Sequence, residues 1–318
     1  MEAASQGLEF CLAEEAHFEQ VMSISGDVYG GIDYMPVRYR GWIREPDRRV
    51  VLAKKEGRVI ALVSVNVVDD GHTAVVEGLR VAPAERGKGV AGLIQRHCLE
   101  LTKAQFPELE LRRCTRSRPL GPEVFVKFQL VCKQEILALC FEAAEILPKL
   151  EAAVEQMKAS GAGWEEPVVL GADDVRRVFL SPGVVRDVLP GETIVQDWAP
   201  YKASRSNLET LLKRDLVWMA DSKDEPSVLS LCQAPYSIPM GAGWQRLNID
   251  IFGKQLPGAR SQFLAQLRGA IGTLPGPVYC LLYMEPSLWQ QMHSFCQRAL
   301  GLSNDRDFGG QYVLETGI

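Results

Sequence analysis

Metal-ligand and redox patterns are missing from this chain. Its eight cysteines include no Cys-x-x-Cys, and its four histidines, at 17, 72, 97 and 293, share no ligand spacing. No metal and no dithiol redox pair are expected. Several cysteines (Cys132, Cys140, Cys280) sit in apolar runs and read as buried, reduced thiols of a cytoplasmic protein. His97 falls on the apolar stripe of its helix and reads as a core or pocket-wall residue. A long hydrophobic run is also lacking. The most apolar stretch, residues 59–68, carries Ser64 and Asn66 and is too short to span a bilayer. The opening MEAASQGLEF has neither the basic nor the apolar region of a secretory signal. Membrane is thus not an expected partner.

An overall excess of positive charge is missing as well. The net charge is −5, yet residues 80–127 hold ten Lys+Arg against five Glu, a local +5 that leaves −10 for the remainder. One basic segment in an acidic protein suggests a small anionic ligand and not nucleic acid.

At 318 residues the chain has room for two domains. Residues 7–12 read as a strand, and Glu14-Glu15 open a helix, where acidic residues suit the dipole. Residues 26–40 (GDVYGGIDYMPVRYR) read as an ordered loop entering a short helix. Three apolar runs follow, 49–54, 58–68 and 74–82, joined by Glu56-Gly57 and Asp70-Gly71. Asp-Gly between such runs is a strong hairpin signal. After a glycine loop, Val90, Leu93, Ile94, His97, Leu101 and Ala104 recur at helical spacing. A strand at 109–115, a short helix after Pro119, a strand at 130–141 and a connecting helix at 142–160 complete the first half. The second half repeats the order: VVLGADDVRRVF (168–179) echoes EFCLAEEAHFEQV (9–21). Strands are expected near 216–221, 227–233 and 244–252, a helix at 258–272, a strand at 278–284, a helix at 286–300 and a last strand at 310–315.

The glycine loop carries two overlapping signatures. Gly87, Gly89 and Gly92 spell G-x-G-x-x-G, while Arg86, Gly89 and Ala91 spell R-x-x-G-x-A. In a dinucleotide fold the first glycine follows the domain's first strand directly. Here residues 82–86 intervene, a hairpin meander precedes, and the acidic ribose partner is replaced by Arg112-Arg113-Cys-Thr-Arg116. The second signature resembles the acetyl-coenzyme A loop of the GCN5-related N-acetyltransferases (GNAT), and the element order of residues 8–141 is similar to one GNAT domain.

That resemblance implies a mixed-sheet α/β (α+β) fold with tandem GNAT-like domains and acetyl-coenzyme A as cosubstrate. A helix N-terminus binds a diphosphate through free N–H groups and the dipole, so Arg86, Gly87, Lys88, Gly89, Val90 and Ala91 are the expected cofactor loop. Pantetheine is expected to pair with backbone of Leu79, Arg80 and Val81. The reaction implied is acetyl transfer to an amine, which needs a base because only the neutral amine attacks. Glu77 is the candidate. Its strand parity with Val75, Leu79 and Val81 places it on a largely apolar face, where desolvation raises a carboxylate pKa toward neutrality. A structural carboxylate bound to a neighbouring amide or Arg80 is the alternative. Many relatives protonate the leaving thiolate with a tyrosine after the fifth strand; Phe128 stands at the matching position, leaving Tyr29, Tyr34, Tyr39 or water for that step.

The acceptor is read as the α-amine of a small amino acid, walled by the 26–40 loop. Tyr29, Tyr34 and Tyr39 would line it, and Arg38, Arg116 or Arg118 would grip its carboxylate. Acetylation of a peptide N-terminus or lysine, and acyl-coenzyme A binding without turnover, remain open alternatives. The second half's loop, Gly253-Lys-Gln-Leu-Pro-Gly-Ala-Arg260, replaces the small residue by Arg260 and loses an amide at Pro257. The expected division is a catalytic domain at 1–141, a connecting helix at 142–163, and a degenerate GNAT-like domain at 164–318.

Overall fold

The computed structural model describes residues 7–26, 28–117, 120–161, 163–272 and 274–318. Arg118 and Pro119 lie outside the described residues. The chain divides into two compact units. The first runs to Cys114 and includes Ile238–Gly241 and Glu315–Ile318; the second comprises Thr115–Ser237 and Ala242–Leu314.

In the first unit β1 (Leu8–Leu12) leads to α1 (Phe18–Ser23) and α2 (Met35–Trp42). The strands β2 (Arg48–Lys55), β3 (Arg58–Val68) and β4 (Thr73–Val81) follow, then α3 (Val90–Gln105) and β5 (Leu111–Ser117). The sheet order is β1-β2-β3-β4-β5. The first four strands are antiparallel, whereas β4 and β5 run parallel.

Both sheet faces are covered, so β2 and β3 read as near-continuous apolar runs. Strand alternation still sorts their residues. Val51, Ala53, Val63 and Val65 pack with Val90, Ile94 and Cys98 of α3. Val50, Leu52 and Leu62 pack with Val21, Met35, Tyr39 and Trp42 of α1 and α2. Each Val, Leu, Ile or Met among them stabilises by about 1.5–3 kcal/mol when fully buried. The Asp70-Gly71 turn is tight, but it closes through a 3-10 turn at Asp69–Gly71, with Asp69 and Asp70 in left-handed conformations.

In the second unit the elements are α4 (Pro122–Phe125), β6 (Gln129–Glu142), α5 (Ala143–Ala159), β7 (Val168–Val169), α6 (Ala172–Phe179) and α7 (Pro182–Asp187). There follow β8 (Thr193–Gln196), β9 (Ala199–Lys202), α8 (Arg205–Leu212), β10 (Leu216–Ala220), β11 (Val228–Gln233) and β12 (Tyr236–Ser237). The last are β13 (Gln245–Gly253), α9 (Leu256–Ile271), β14 (Pro277–Met284), α10 (Trp289–Phe295) and β15 (Gln311–Gly317). Its sheet runs β6-β14-β13-β11-β10-β7, and β8 and β9 form a separate hairpin. Here too one pair, β13 with β14, is parallel among antiparallel neighbours. Its main core joins α5 and α9 to β13 and β14 through Ile146, Leu150, Phe263, Leu267, Ile249 and Leu282.

All eight cysteines are free, five buried and three partly so. His97 stacks on Phe10 with ring centroids 4.5 Å apart. Among the described residues no helix is long and apolar enough to cross a membrane, and no cluster of His, Cys, Asp or Glu could hold a metal ion.

The chain's last residues are locked to the first unit by charge. Arg113, 1% exposed, donates from Nη2 to Glu315 Oε2 at 2.5 Å. Its Nη1 lies 3.1 Å from Asp69 Oδ2, an ionic contact without hydrogen-bond alignment. Removing one member of a buried set strands the others' charge. Arg113→Ala is expected to lower unfolding free energy by about 3–5 kcal/mol, measured by denaturant titration.

Candidate functional site

β4 supplies the first element of the site. Its register against β3 runs Ser64 with Glu77 and then Leu62 with Arg80, so β4 carries one extra residue at 78–79. This is a β-bulge, which bends a strand and re-aims its groups. Gly78 takes φ +66° there, and a Cβ would stand 2.7 Å from Trp42 Cζ3. Both facts require glycine.

The parallel pairing of β4 with β5 covers Thr73 to Val76 and ends at Val76 with Cys114, while β4 continues to Val81. The strands therefore part just before the bulge. Ala82 donates to the Ile60 carbonyl at 2.8 Å, which fixes the alternation. Arg80 then turns its backbone toward β3, and Leu79 and Val81 turn theirs to the side β5 has left. The Val81 carbonyl accepts from Arg86 Nε at 3.0 Å, so this loop arginine braces the strand it follows.

The glycine loop supplies the second element. Gly87 has φ +77°, and a Cβ added there would meet no atom within 4 Å. Gly89, at φ +80°, is the N-cap of α3. At the helix start, the amides of Gly92 and Leu93 bond the Gly89 carbonyl. Among the described residues, those of Gly87, Lys88, Gly89, Val90 and Ala91 bond no backbone acceptor. Open amides at the head of a 16-residue helix suit an anion. Lys88 adds charge at the rim, 3.3 Å from Glu85. These residues fit a diphosphate.

Glu77 is the third element, and its surroundings differ from the apolar face expected. Its Oε2 accepts from Arg48 Nη1 at 2.5 Å. Arg48 also donates to Ser64 Oγ at 3.0 Å and Glu45 Oε2 at 2.6 Å. Its guanidinium stacks 4.4 Å from the Trp42 ring centroid. Burial alone would lower the Arg48 pKa, but Glu77 and Glu45 outweigh it and raise it. The partner of Glu77 is thus Arg48 and not Arg80, and Glu77 Oε1 accepts no hydrogen bond among the described residues. The bulge breaks the parity of Glu77 with Leu79 and Val81 but not that with Val75, and the polar surroundings come from Arg48 at the start of β2, which alternation along β4 does not reveal.

Arg80 serves the fold through its side chain. It is 2% exposed, ion-pairs with Asp33, and donates from Nη1 to the Gly78 carbonyl at 3.0 Å. Asp33 also accepts from the Met35 amide at 3.1 Å, fixing the start of α2. The Arg80 guanidinium lies 5.2 Å from the Tyr34 ring and 5.9 Å from the Tyr29 ring, and the two rings stack 5.9 Å apart. Burial, and secondarily Tyr29, pushes the Tyr34 phenol well above its ordinary pKa, keeping it protonated.

Tyr39 is not with them. It is wholly buried, and its hydroxyl donates to the Glu14 carbonyl at 2.7 Å. Burial and then Glu15 push its pKa up to about 12. Arg38 lies on α2 of the first unit. Arg116 belongs to the second unit, with its guanidinium 5.6 Å from the Phe128 ring. Arg48, Trp42 and Asp33 escaped the sequence reading, because a buried Arg, Trp or Asp leaves no mark of burial in one sequence.

A bulged strand parting from a parallel neighbour, beside open amides at a helix head, defines an acyltransferase of the GNAT class. The family model described as "Acetyltransferase (GNAT) family" matches residues 18–116, and that of "Histidine N-acetyltransferase, C-terminal" matches residues 164–285. Over 100% of its length the chain is 49% identical to 88% of human "Probable N-acetyltransferase 16". It is 43% identical, again over 100%, to 96% of the histidine N-acetyltransferase of Scomber australasicus. Among solved structures, a tandem GNAT protein from the clavulanic acid biosynthesis pathway superposes with a TM-score of 0.56 at 15% identity, covering 98% of each chain. The chain belongs to the GNAT acetyltransferases and, along its whole length, to the family of the histidine N-acetyltransferases.

Gly78→Ala should test the bulge. The Cβ would press on Trp42 in a left-handed backbone, so a loss of about 1–3 kcal/mol is expected by thermal or denaturant unfolding.

Proposed function

We propose that this chain transfers the acetyl group of acetyl-coenzyme A to the α-amine of L-histidine, giving N-acetylhistidine. The observation that carries the transferase half is the set of open amides at 87–91 beside the unpaired edge of β4, with Glu77 two residues from that edge. The acceptor is supported by full-length similarity to histidine N-acetyltransferases. The catalytic domain is taken as residues 1–141, the connecting helix as 142–163, and the degenerate domain as 164–318.

Acetyl-coenzyme A supplies an activated thioester. The loop 86–91 holds its diphosphate, and the backbone of Leu79 and Val81 takes the pantetheine amides as an added strand would. An α-amine of pKa near 8 is only about a tenth neutral at pH 7. Glu77 accepts the ammonium proton at Oε1, directly or through water, while Arg48 fixes the carboxylate through Oε2. The neutral amine attacks the thioester carbonyl, the N–C bond forms, the C–S bond breaks, and the proton that the nitrogen then loses neutralises the leaving thiolate. Tyr29 and Tyr34 provide aromatic surface for an imidazole, and Arg38 the cation for its carboxylate.

The second unit supports one cofactor per chain. Its equivalent helix, α9, begins at Leu256 with Pro257 in its first turn, so that turn lacks an amide. A Cβ on Gly258 would stand 2.8 Å from Glu165 Oε2, so a carboxylate of the chain itself already lies at this helix head. Burial raises the Glu165 pKa, with Asp221 adding to it.

Glu77→Gln keeps an acceptor for Arg48 and removes only the base. It should slow turnover by about 10²–10⁴-fold and leave acetyl-coenzyme A affinity nearly unchanged; thiol release and calorimetry read the two. Equal turnover at every pH would reject Glu77 as the base. The same thiol-release assay over the twenty amino acids and a lysine peptide should show histidine as the preferred acceptor. Titration with coenzyme A should saturate at one equivalent per chain, and two equivalents would reject the closed second loop.

A further inference from the structure

The first unit includes four residues from far along the chain, Ile238–Gly241. They belong to the connection between β12 and β13, which pair through Tyr236 with Arg246 and Ser237 with Gln245. Within the first unit this segment meets the loop proposed as the acceptor wall, and it does so at Gly31. A Cβ added to Gly31 would stand 3.0 Å from Met240 Cα, 3.3 Å from its Cβ and 3.5 Å from its Cγ. The two backbones therefore lie flush, with the root of the Met240 side chain against the glycine. Ile238 is buried and anchors the segment, while Met240 stays 36% exposed.

That contact falls where the loop is least able to hold itself. Tyr29, Gly30 and Gly31 take φ of +57°, +62° and +95° in succession. Glycine adopts such a conformation freely, whereas L side chains rarely do. Tyr29 must therefore be kept there by its surroundings. The rest of the loop has local restraints: Ile32 is buried, Asp33 pairs with Arg80, and the Tyr29 ring stacks on Tyr34. Gly31 has no side chain to provide one, and Met240 takes that place. Tyr29 bears on the reaction through its surface, since its ring is 48% exposed and offers area to a ligand. Its partner Tyr34 lies within electrostatic reach of Glu77: burial first, and Glu77 among the lesser causes, raises the Tyr34 pKa.

We infer that Met240 is a positioning residue for acceptor binding: packed on Gly31, it holds the turn at 28–31 in the conformation that presents the Tyr29 ring to the acceptor. The inference rests on the proposed reading of residues 26–40 as the acceptor wall. Met240 acts through the loop. Without its side chain the turn spends only part of its time in the competent form, and the apparent affinity for the acceptor falls by that fraction. The glycine loop at 86–91 and the edge of β4 do not include this turn, so cofactor binding is spared.

The test is Met240→Ala in the full chain, assayed by thiol release with the amine that the acceptor screen selects. The acceptor KM should rise about three- to tenfold, as for a competent fraction of about 0.1–0.3. The kcat and the KM for acetyl-coenzyme A should stay within about twofold of wild type, the pattern of a lost uniform binding contribution. Met240→Leu, which refills the contact, should restore the acceptor KM. Gly31→Ala, whose methyl intrudes on the same contact, should raise it too, and the double variant should rise by less than the product of the two. Hydrogen–deuterium exchange without ligands should quicken at residues 28–34 in Met240→Ala and not in α3. That reading needs no turnover, so failure here is distinguishable from failure of the proposed reaction. Unchanged exchange would overturn the positioning. An unchanged acceptor KM, or a cofactor KM rising in step with it, would overturn the role in acceptor binding. Should Met240→Ala fail to fold, Gly31→Ala decides by the same two readings.

Discussion

A β-strand that loses its neighbour must find other partners for its backbone polar groups, and the first unit is organised around that need. β4 is paired with β5 only as far as Val76. Beyond it, the bulge at Gly78 turns the strand, and among the described residues Leu79 and Val81 have no strand partner on the side β5 has left, the Val81 carbonyl being held by Arg86. The bulge requires glycine because Trp42 presses on it. Trp42 in turn stacks on Arg48, and Arg48 holds Glu77. The bulged edge of β4 and Glu77 are therefore set by one packed cluster, and a change at any member is felt by the others.

The same cluster accounts for the charge placement. Arg48 is buried, so it needs carboxylates, and it has two: Glu45 and Glu77. Taking Glu77 away altogether would leave a buried cation with one partner, which destabilises independently of chemistry. A carboxylate can thus be structural through one oxygen and reactive through the other. The two readings of Glu77 that the sequence left as alternatives are compatible in this geometry.

Much of the fold was legible. The apolar runs at 49–54, 58–68 and 74–82 correspond to β2, β3 and β4, because a strand covered on both faces is written as continuous Val, Ile, Leu and Ala. The second half was read as closely: expected strands near 227–233 and 278–284 are β11 and β14. Residues 180–215 were left unassigned, and they form α7, the β8–β9 hairpin and α8, whose short lengths give periodicity little to repeat. The site was legible where backbone dictates residue type, as at Gly87 and Gly89. It was illegible where tertiary packing decides: Arg48 came from a strand terminus, Asp33 from a loop, and Tyr39 went to the core instead of the pocket.

Glu165 gives the contrast between the halves a thermodynamic meaning. The head of α9 has a carboxylate of its own chain beside Gly258, while at the head of α3 the amides of 87–91 bond no backbone acceptor among the described residues. A body that binds ligand only when folded gains stability with every rise in ligand concentration. With the anion site proposed above at the head of α3, the folding stability of the first unit would rise with the concentration of the cosubstrate, and a melting curve would shift with it.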